Sequence, residues 1–319
     1  MPQENILVIK LGALGDFIYA IGPMQAIKKH HQTASITLLT RSSFAELGNA
    51  TKLFNNILID PEPKFWQLKG LYEFGSTIKS LQFDRIYDLQ TSDRTGFYYR
   101  LFSLFKKPEW SGIVPGCSHY HHYERPTLKH TQDRHREQLA IAGIKGVPNP
   151  DLSFMTGETD LFGLPLNFAL IVPGSSPKMK VKRWPSENFA YIANALISNN
   201  ITPVLIGGKD DLDIITAIQE RCPQTINLIG KTTIFQISSL ARKAKVCIGN
   251  DTGPMHLIAL SGCPTIALFG LGSFPDKASP RGEKIKVIAS EKLIELTVSE
   301  VEEAMTNLLN CLLYTSDAA

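Results

Sequence analysis

The chain has 319 residues, of which 43% are hydrophobic and 20% are charged, and its formal net charge is +3 at pH 7. This length and composition predict about two globular domains of roughly 150 residues each. The net charge is too small to indicate a nucleic-acid partner, and none is expected.

The cysteines and the apolar segments give information about the cellular compartment of the protein. Five cysteines occur, and none of them forms a C-x-x-C pair. An odd number without such pairs argues against a disulfide framework or a zinc site and fits a reducing cytoplasm. No run reaches the roughly 18 apolar residues of a membrane span, and the N-terminal MPQEN lacks the basic start of a signal peptide. The sequence therefore predicts a cytoplasmic protein.

Short β-branched runs alternate with helical patterns along most of the chain. In residues 189–197, apolar side chains recur at i, i+3, i+4, i+7 and i+8, which places them on one face of a helix. This alternation predicts an α/β fold with parallel sheets. The runs that predict strands are residues 5–10, 35–40, 55–60, 85–89, 168–172, 202–207, 245–250 and 264–270.

The alternation pauses between residues 111 and 165, where proline and glycine punctuate loops around one helical stretch. Such punctuation is typical of a domain boundary. The predicted domains are residues 1–160 and residues 161–310, the second ending in a helix. The last nine residues, CLLYTSDAA at 311–319, match nothing around them and resemble translated adaptor sequence, so we predict that they are not native.

The sequence LGALGD, residues 11–16, follows the first predicted strand. A glycine turn there exposes backbone N–H groups at the start of a helix, which favours an anion. Asp16 then has two interpretations: it caps the helix, or it is a general base beside a ligand. Pro23 predicts that a straight helix does not continue far. The spacing is not G-x-G-x-x-G, so it does not indicate a dinucleotide site.

Two further strand ends carry groups that suit phosphate. In IVPGSSPKMKVKRWPSENF, residues 171–189, the hydroxyls of Ser175 and Ser176 precede a run of lysines and Arg183. In VCIGNDTGPMHLIALSGCPTIALFG, residues 246–270, the turn at Asp251 leads to Pro254, a residue favoured at the first position of a helix. Hydroxyls, amides and ammonium groups at these ends fit a diphosphate. A solvated basic loop is the alternative.

Two other patterns bear on metal binding. Asp211 and Asp213 form a D-x-D sequence, but it falls at the start of a predicted helix. Five histidines between residues 119 and 135 are interpreted as a solvated loop. Neither pattern has the ligand spacing of a metal centre, so no metal and no cofactor are expected.

Taken together, these motifs resemble the lipopolysaccharide heptosyltransferases of glycosyltransferase family 9. The resemblance covers roughly residues 5–310 and rests on the order of four motifs: LGALGD, DLQTSDR at 88–94, PGSS followed by KRWP, and DTGPMH. It implies the GT-B architecture, an α/β fold in which two Rossmann-like domains face each other across a cleft. The first domain then binds the acceptor and the second binds the nucleotide-sugar donor, such as ADP-heptose. The implied reaction is inverting and independent of metal.

The resemblance also implies residue roles. Asp16 matches the catalytic base, and Asp211 matches an acid that binds the nucleotide ribose. The longer basic loop of this chain leaves open which lysine meets the diphosphate, although Lys182 matches best. The remaining donor residues implied by the resemblance are Ser175, Ser176, Asp251, Thr252, Gly253 and His256.

The acceptor is expected to be an anionic glycolipid. Residues 94–136 hold eight Lys or Arg against three acids, with aromatic residues between them. Such a surface fits a phosphorylated or acidic glycan and a loose contact with the inner face of the cytoplasmic membrane. Arg94 and Arg100 follow a predicted strand end, so both are assigned to the acceptor together with Gly15. A basic patch without a ligand is the alternative.

Three other functions compete. A transferase could use another nucleotide-sugar, because the sequence does not separate ADP from UDP or GDP. A sugar-nucleotide epimerase shares the two-domain architecture, but the KRWP and DTGPMH pair argues against it. A protein that only binds glycans or nucleotides would not need an intact Asp16 beside an intact phosphate cradle.

Overall fold

The computed structural model describes residues 3–64, 66–102, 108–122, 129–175, 183–272 and 274–316, with side chains to residue 310. The chain divides into two compact units, Met1–Phe154 and Met155–Ala319. Each unit contains a six-stranded sheet in which all pairings are parallel. The predicted α/β class with parallel sheets is confirmed.

The first unit contains six strands and five helices among its described residues. In chain order they are β1 Asn5–Ile9, α1 Leu14–His30, β2 Ser35–Thr40, α2 Ser42–Ala50, β3 Asn56–Ile59, α3 Leu68–Ser80, β4 Arg85–Asp88, α4 Asp93–Phe102, β5 Glu109–Gly112, β6 His119–Tyr120 and α5 Thr131–Ile141.

The second unit continues with six strands and six helices among its described residues. They are β7 Phe168–Val172, α6 Ser186–Ser198, β8 Thr202–Leu205, α7 Leu212–Arg221, β9 Ile226–Asn227, α8 Ile234–Lys243, β10 Cys247–Asn250, α9 Gly253–Leu260, β11 Thr265–Phe269, α10 Pro275–Ala278, β12 Ile285–Ala289 and α11 Val298–Ser316. Helix α11 includes residues 311–316 of the segment predicted to be non-native, and that prediction is not tested.

The two sheets have the same strand order. The first runs β3-β2-β1-β4-β5-β6, and the second runs β9-β8-β7-β10-β11-β12. In each, the strand that comes first in the sequence lies at the centre, and the order reverses between that strand and the fourth. A crevice opens beyond the carboxyl ends of the strands at such a reversal, which makes these two edges the expected binding regions.

All eight strands read from the β-branched runs are present, within a few residues of the predicted bounds. Burial explains why: β7 and β11 have every residue buried, so their sequences are continuous apolar runs. Four short or partly exposed strands carry no such run and were not predicted. They are β5, β6, β9 and β12.

The expectation that Pro23 limits the first helix is wrong, because α1 continues through Pro23 to His30. Proline inside a helix costs about 3 kcal/mol in general. Here every residue from Phe17 to Met24 is buried, and tertiary packing of this kind supplies most helix stability in proteins. Gly22 contributes a close approach, because a Cβ atom built on it would lie 2.3 Å from the carbonyl oxygen of Pro148.

In the part of the chain that the structure describes, no helix is both long enough and apolar enough to cross a membrane.

The substitution Gly22→Ala should destabilise the protein by about 1–3 kcal/mol, because the added methyl group meets backbone that cannot rotate away. Gly70→Ala is the matched control. A Cβ atom there would lie 3.5 Å from the Cβ atom of Pro63, an ordinary contact, so we expect the usual helix gain of up to about 1 kcal/mol. Urea unfolding of both variants measures the two free energies, and equal effects would contradict the tight packing of α1 on Pro148.

Candidate functional site

The predicted site residues gather at the strand-order reversal of each sheet. In the second unit, Pro173 to Ser175 follow β7 and Asp251 follows its neighbour β10. In the first unit, Lys10 follows β1 and Leu89 follows its neighbour β4. Parallel pairing of adjacent strands brings each pair of loops to one edge.

A buried amide holds the loops of the second unit together. Asn250, fully buried at the end of β10, donates from Nδ2 to the carbonyl oxygen of Pro173 at 2.7 Å and accepts from the backbone N–H of Trp184 at 3.1 Å. One side chain therefore fixes the loop after β7 and the segment that enters α6. The sequence analysis missed Asn250, although a polar residue closing an apolar strand was a usable signal.

Arg183 and Asp211 form the charged part of this edge. The Arg183 guanidinium donates to Asp211 Oδ1 at 2.9 Å, to Ser175 Oγ at 3.0 Å and to the Ser175 carbonyl oxygen at 3.0 Å. Asp211 Oδ2 accepts from the N–H of Gly208 at 3.0 Å. Both oxygens of Asp211 are thus engaged within the protein, so a ribose would share Oδ1 with Arg183 and Oδ2 with the Gly208 N–H. The sequence analysis did not select Arg183 as a site residue.

Glycine makes room for the Asp211 carboxylate. A Cβ atom on Gly174 would lie 2.3 Å from its carboxyl carbon, and one on Gly207 would lie 3.0 Å from Oδ2. The glycine of the PGSS motif, Gly174, is therefore required by close packing against Asp211, a contact between distant parts of the chain.

The turn after β10 presents a hydroxyl at a helix start. Thr252 precedes α9 in extended geometry, yet its side chain makes no capping bond. Its Oγ1 is buried and, among the described residues, has no hydrogen-bond partner. Buried hydroxyls are normally satisfied, so this atom is a candidate to bind a ligand. Gly253 begins the helix and His256 is buried in its first turn. The predicted residues Ser176 and Lys182 lie outside the described residues.

In the first unit, Asp16 is the third residue of α1, and Ala13 occupies the N-cap position. The interpretation of Asp16 as the helix cap is therefore wrong. The side chain is half-buried, and no hydrogen bond or ion pair to its carboxylate occurs within the described ranges. Gly15, next to it, is buried in the same turn. A carboxylate in the first turn of a helix interacts favourably with the helix dipole, and one without an internal hydrogen bond is available to a ligand.

A buried lysine lies at the same edge. Lys10 is 2% exposed and donates from Nζ to the carbonyl oxygen of Leu89 at 2.9 Å, which joins the loops after β1 and β4. Burial lowers the pKa of Lys10, while the carboxylates of Asp16 and Asp88 act to raise it. The charge of Lys10 is therefore balanced by these two acids, of which only Asp16 reaches solvent.

Asp88 and His135 are more deeply buried than Asp16. Asp88 Oδ1 accepts from the N–H groups of Gln90 at 3.0 Å and Thr91 at 2.9 Å, and burial raises the pKa of Asp88 to about 6. His135 Nε2 lies 3.1 Å from the Leu89 carbonyl oxygen and must donate its proton to it. Burial keeps the pKa of His135 well below its ordinary value, so this ring is neutral.

The interpretation of the histidines as a solvated loop is wrong for three of the five. His121, His130 and His135 are less than 10% exposed, and His130 caps α5 by accepting from the N–H of Gln132. The packing of α5 under the sheet edge buries them, and nothing in their local sequence pattern signals that helix contact.

The two acceptor arginines differ in their surroundings. Arg94 donates from Nε to Tyr98 Oη at 2.7 Å and to the buried Asp60 at 3.2 Å, and Tyr98 also donates to Asp60 at 2.7 Å. Arg100 instead lines a cavity of about 390 Å³ at the carboxyl ends of β4 and β5, together with Phe97. Arg94 is thus paired with the buried Asp60 carboxylate, whereas Arg100 faces the cavity.

No group of three or more His, Cys, Asp or Glu side chains suited to a metal ion occurs among the described residues. Asp211 is paired with Arg183, and Asp213 lies exposed in the first turn of α7. The D-x-D sequence therefore does not form a paired carboxylate site here.

Comparison with known proteins gives the class. The fold is similar to that of a glycosyltransferase of family 9 from Veillonella parvula, with a TM-score of 0.82, 22% identity and coverage of 96% of this chain and 97% of that one. It is also similar to E. coli ADP-heptose lps heptosyltransferase II, with a TM-score of 0.76, 22% identity and coverage of 96% and 98%. A UDP-GlcNAc 2-epimerase from Methanocaldococcus jannaschii shares the fold more distantly, with a TM-score of 0.63, 11% identity and coverage of 96% and 93%. The architecture is therefore GT-B.

Sequence comparison identifies the family within this fold class. The model of glycosyltransferase family 9 (heptosyltransferase) matches residues 122–306, more than half of the chain. Over 281 residues the chain is 25% identical to the lipopolysaccharide core heptosyltransferase OpsX of Haemophilus influenzae, covering 83% of this chain and 79% of that protein. The chain belongs to glycosyltransferase family 9 and is a glycosyltransferase, as its motifs indicated.

Asp88 should make stability depend on pH. Its pKa is raised in the folded state, so its contribution to stability is present below about pH 4 and is lost as the pH rises through about 6. Relative to wild type, Asp88→Asn should therefore gain up to about 3 kcal/mol between pH 4 and pH 7. Urea unfolding at constant ionic strength measures this difference, with the exposed Asp213→Asn as control. A difference that does not change with pH would show that Lys10 compensates the Asp88 charge within the fold.

Proposed function

We propose that this glycosyltransferase transfers heptose from ADP-heptose to a lipopolysaccharide core or a related glycan, with inversion and without a metal ion. The observation that carries the proposal is the Asp16 carboxylate, half-buried at a helix start and without a hydrogen bond or ion pair among the described residues. The similar proteins described above include an ADP-heptose heptosyltransferase and a lipopolysaccharide core heptosyltransferase, which supports the donor and the acceptor class.

Asp16 is the proposed base. An acceptor hydroxyl attacks the anomeric carbon, the new C–O bond forms as the bond to the diphosphate breaks, and the hydroxyl proton passes to the Asp16 carboxylate. A single carboxylate is enough for this direct displacement, because no covalent intermediate has to be formed. Lys10 follows β1 at the same sheet edge, and the Asp16 carboxylate acts to raise the pKa of Lys10.

The second unit is proposed to bind the donor diphosphate. Thr252 Oγ1, the N–H groups at Gly253 and the Ser175 hydroxyl lie at one sheet edge and can donate to phosphate oxygens. Lys182 and Ser176 are proposed to contribute from the basic loop. These groups stabilise the charge that develops on the leaving ADP, which is the role a metal ion has in other transferases. Asp211, Asp251 and His256 are proposed to contact the rest of the donor.

The first unit is proposed to bind an anionic acceptor. Arg100, on the cavity beside Phe97, is the better candidate for a carboxylate or phosphate group. Arg94 contributes indirectly, because its loss would leave Asp60 buried without its cation. Gly15 is proposed to lie against the acceptor beside Asp16. The protein is proposed to act in the cytoplasm, in loose contact with the membrane that carries the glycolipid acceptor.

Incubation of the protein with ADP-heptose and a deacylated core oligosaccharide separates the candidate functions. Transfer releases ADP and enlarges the acceptor, epimerisation releases no ADP, and a binding protein does neither. A thermal-shift panel with ADP, UDP and GDP then identifies the nucleotide, because the preferred one stabilises the folded state most at equal concentration.

Asp16→Asn should lower kcat by about 10²–10⁴-fold, the usual contribution of general acid–base catalysis, while the Kd for ADP changes little. The amide keeps the size of the side chain but does not accept a proton. Asp213→Asn, which neutralises an exposed acid in another first helical turn, is the matched control and should keep full activity. Near-normal turnover of Asp16→Asn would remove Asp16 as the base.

Thr252→Val should raise the Kd for ADP about tenfold without lowering stability. Valine has nearly the same shape, and the Thr252 hydroxyl has no partner among the described residues, so the apoprotein loses no hydrogen bond. Calorimetric titration with ADP and urea unfolding measure the two quantities. An unchanged Kd would place the diphosphate elsewhere, and a loss of stability would show that the hydroxyl has a structural partner.

Activity should survive EDTA. Arg183 and the start of α9 lie at the edge proposed for the diphosphate, Lys182 is proposed to add a further charge, and Asp211 is already paired with Arg183. Initial rates of ADP release measured with and without about 5 mM EDTA should agree within about twofold. Full loss of activity that Mg²⁺ or Mn²⁺ restores would instead assign Asp211 and Asp213 as metal ligands.

A further inference from the structure

The start of α3 exposes three large apolar side chains to solvent. Trp66 is 63% exposed, Leu68 is 75% exposed and Tyr72 is 76% exposed. The opposite face of the same helix buries Leu71 and Phe74 in the core of the first unit. The helix therefore carries apolar residues on both sides, and packing within the unit accounts for only one of them. Exposed apolar clusters of this kind mark interaction surfaces.

The neighbouring charges fit a negatively charged partner. The Lys64 ammonium lies 5.2 Å from the centre of the Trp66 ring, and the Lys69 side chain is 90% exposed. Of the nearby acids, Glu62 pairs with Arg41, and Glu73 lies 3.9 Å from Lys69. Tryptophan, tyrosine and lysine side by side are typical of the boundary between lipid headgroups and acyl chains.

The position of this surface relates it to the proposed acceptor site. The segment follows β3 and the buried Asp60, which pairs with Arg94 at the carboxyl edge of the first sheet. Asp16 and Arg100 belong to the same edge. A bilayer that touched the start of α3 would therefore hold the headgroup of a lipid acceptor beside the proposed base.

The size of the cluster argues against a second copy of the chain as the partner. Three large side chains offer on the order of 500 Å², at about 150–250 Å² for each fully exposed aromatic residue. A stable protein interface needs about 800 Å² from each partner. Shallow insertion into a bilayer needs only a few apolar side chains and nearby cations.

We infer that the α3 surface, defined as Lys64, Trp66, Leu68, Lys69 and Tyr72, docks on an anionic lipid bilayer and thereby presents the carboxyl edge of the first sheet to a membrane-bound acceptor. The docking itself rests on exposed side chains and charge. Its benefit to catalysis rests on the proposed function, which supplies the lipid-anchored acceptor.

Co-sedimentation with vesicles tests the docking. Wild-type protein should bind vesicles of phosphatidylglycerol and phosphatidylethanolamine more tightly than vesicles of phosphatidylcholine, and salt should weaken the binding. The triple variant Trp66→Ser, Leu68→Ser, Tyr72→Ser should lower the partition coefficient by at least about tenfold, because each large apolar side chain that leaves the bilayer costs about that factor.

A matched triple variant controls for the number of exposed apolar residues that are removed. Leu161→Ser, Leu166→Ser and Tyr191→Ser lie in the second unit, where these side chains are 64%, 93% and 53% exposed. This control should bind vesicles as wild type does. Equal binding by the α3 triple variant and wild type, or no binding of wild type to anionic vesicles, would overturn the inference. So would a dimer in sedimentation velocity that the α3 triple variant abolishes.

An activity measurement separates this inference from the proposed function. The α3 triple variant should transfer to a soluble deacylated acceptor at the wild-type rate and should lose at least about tenfold in kcat/KM on the same acceptor embedded in anionic vesicles. Equal losses on both acceptors would place the three side chains in the fold or the site rather than on the membrane. Absence of transfer by wild type would refute the proposed function and leave the vesicle binding to be judged by itself.

Discussion

In each unit, the first strand pairs in parallel with a neighbour on both of its sides. The positions of the candidate site residues follow from this constraint. β1 lies between β2 and β4, and β7 lies between β8 and β10. Because all strands are parallel, their polar continuations emerge at one edge, and the reversal in strand order separates the loops there. LGALGD, PGSS and DTGPMH are distant in the sequence, yet each one follows a strand that borders such a reversal. The candidate site residues therefore lie at two sheet edges, one in each unit.

Buried polar groups make these edges rigid. In the first unit, Lys10 bonds the Leu89 carbonyl oxygen, to which His135 also donates. In the second unit, Asn250 joins Pro173 to Trp184, and Arg183 joins Ser175 to Asp211. Buried groups of this kind must be satisfied by specific partners, so the loops that carry them have little freedom. A site held in this way can present a carboxylate or a hydroxyl in a fixed direction.

Four aspartates at or near the two sheet edges divide into two kinds. Asp60, Asp88 and Asp211 are held by backbone N–H groups, hydroxyls or guanidinium groups, and each has a structural role. Asp16 lies in a first helical turn, has no such partner among the described residues, and is not fully buried. A base must be able to accept a substrate proton, and a carboxylate whose oxygens are already used by the fold is poorly suited to that task. This contrast supports the proposal that Asp16 is the base, independently of its position in a motif.

The sequence alone determined the strands whose burial is complete, since β7 and β11 must be continuous apolar runs, and it determined the order of the motifs that identify the family. It also placed Asp16, Ser175 and Thr252 at strand ends, because a strand followed by a turn and a helix is a local pattern. Only the tertiary structure decided which polar groups remain available. Arg94 is occupied by Asp60 from another strand, Asp211 is occupied by Arg183, and α1 continues through Pro23 because its surroundings bury it. Each of these outcomes depends on residues far apart in the chain, and local periodicity and spacing carry no information about such contacts.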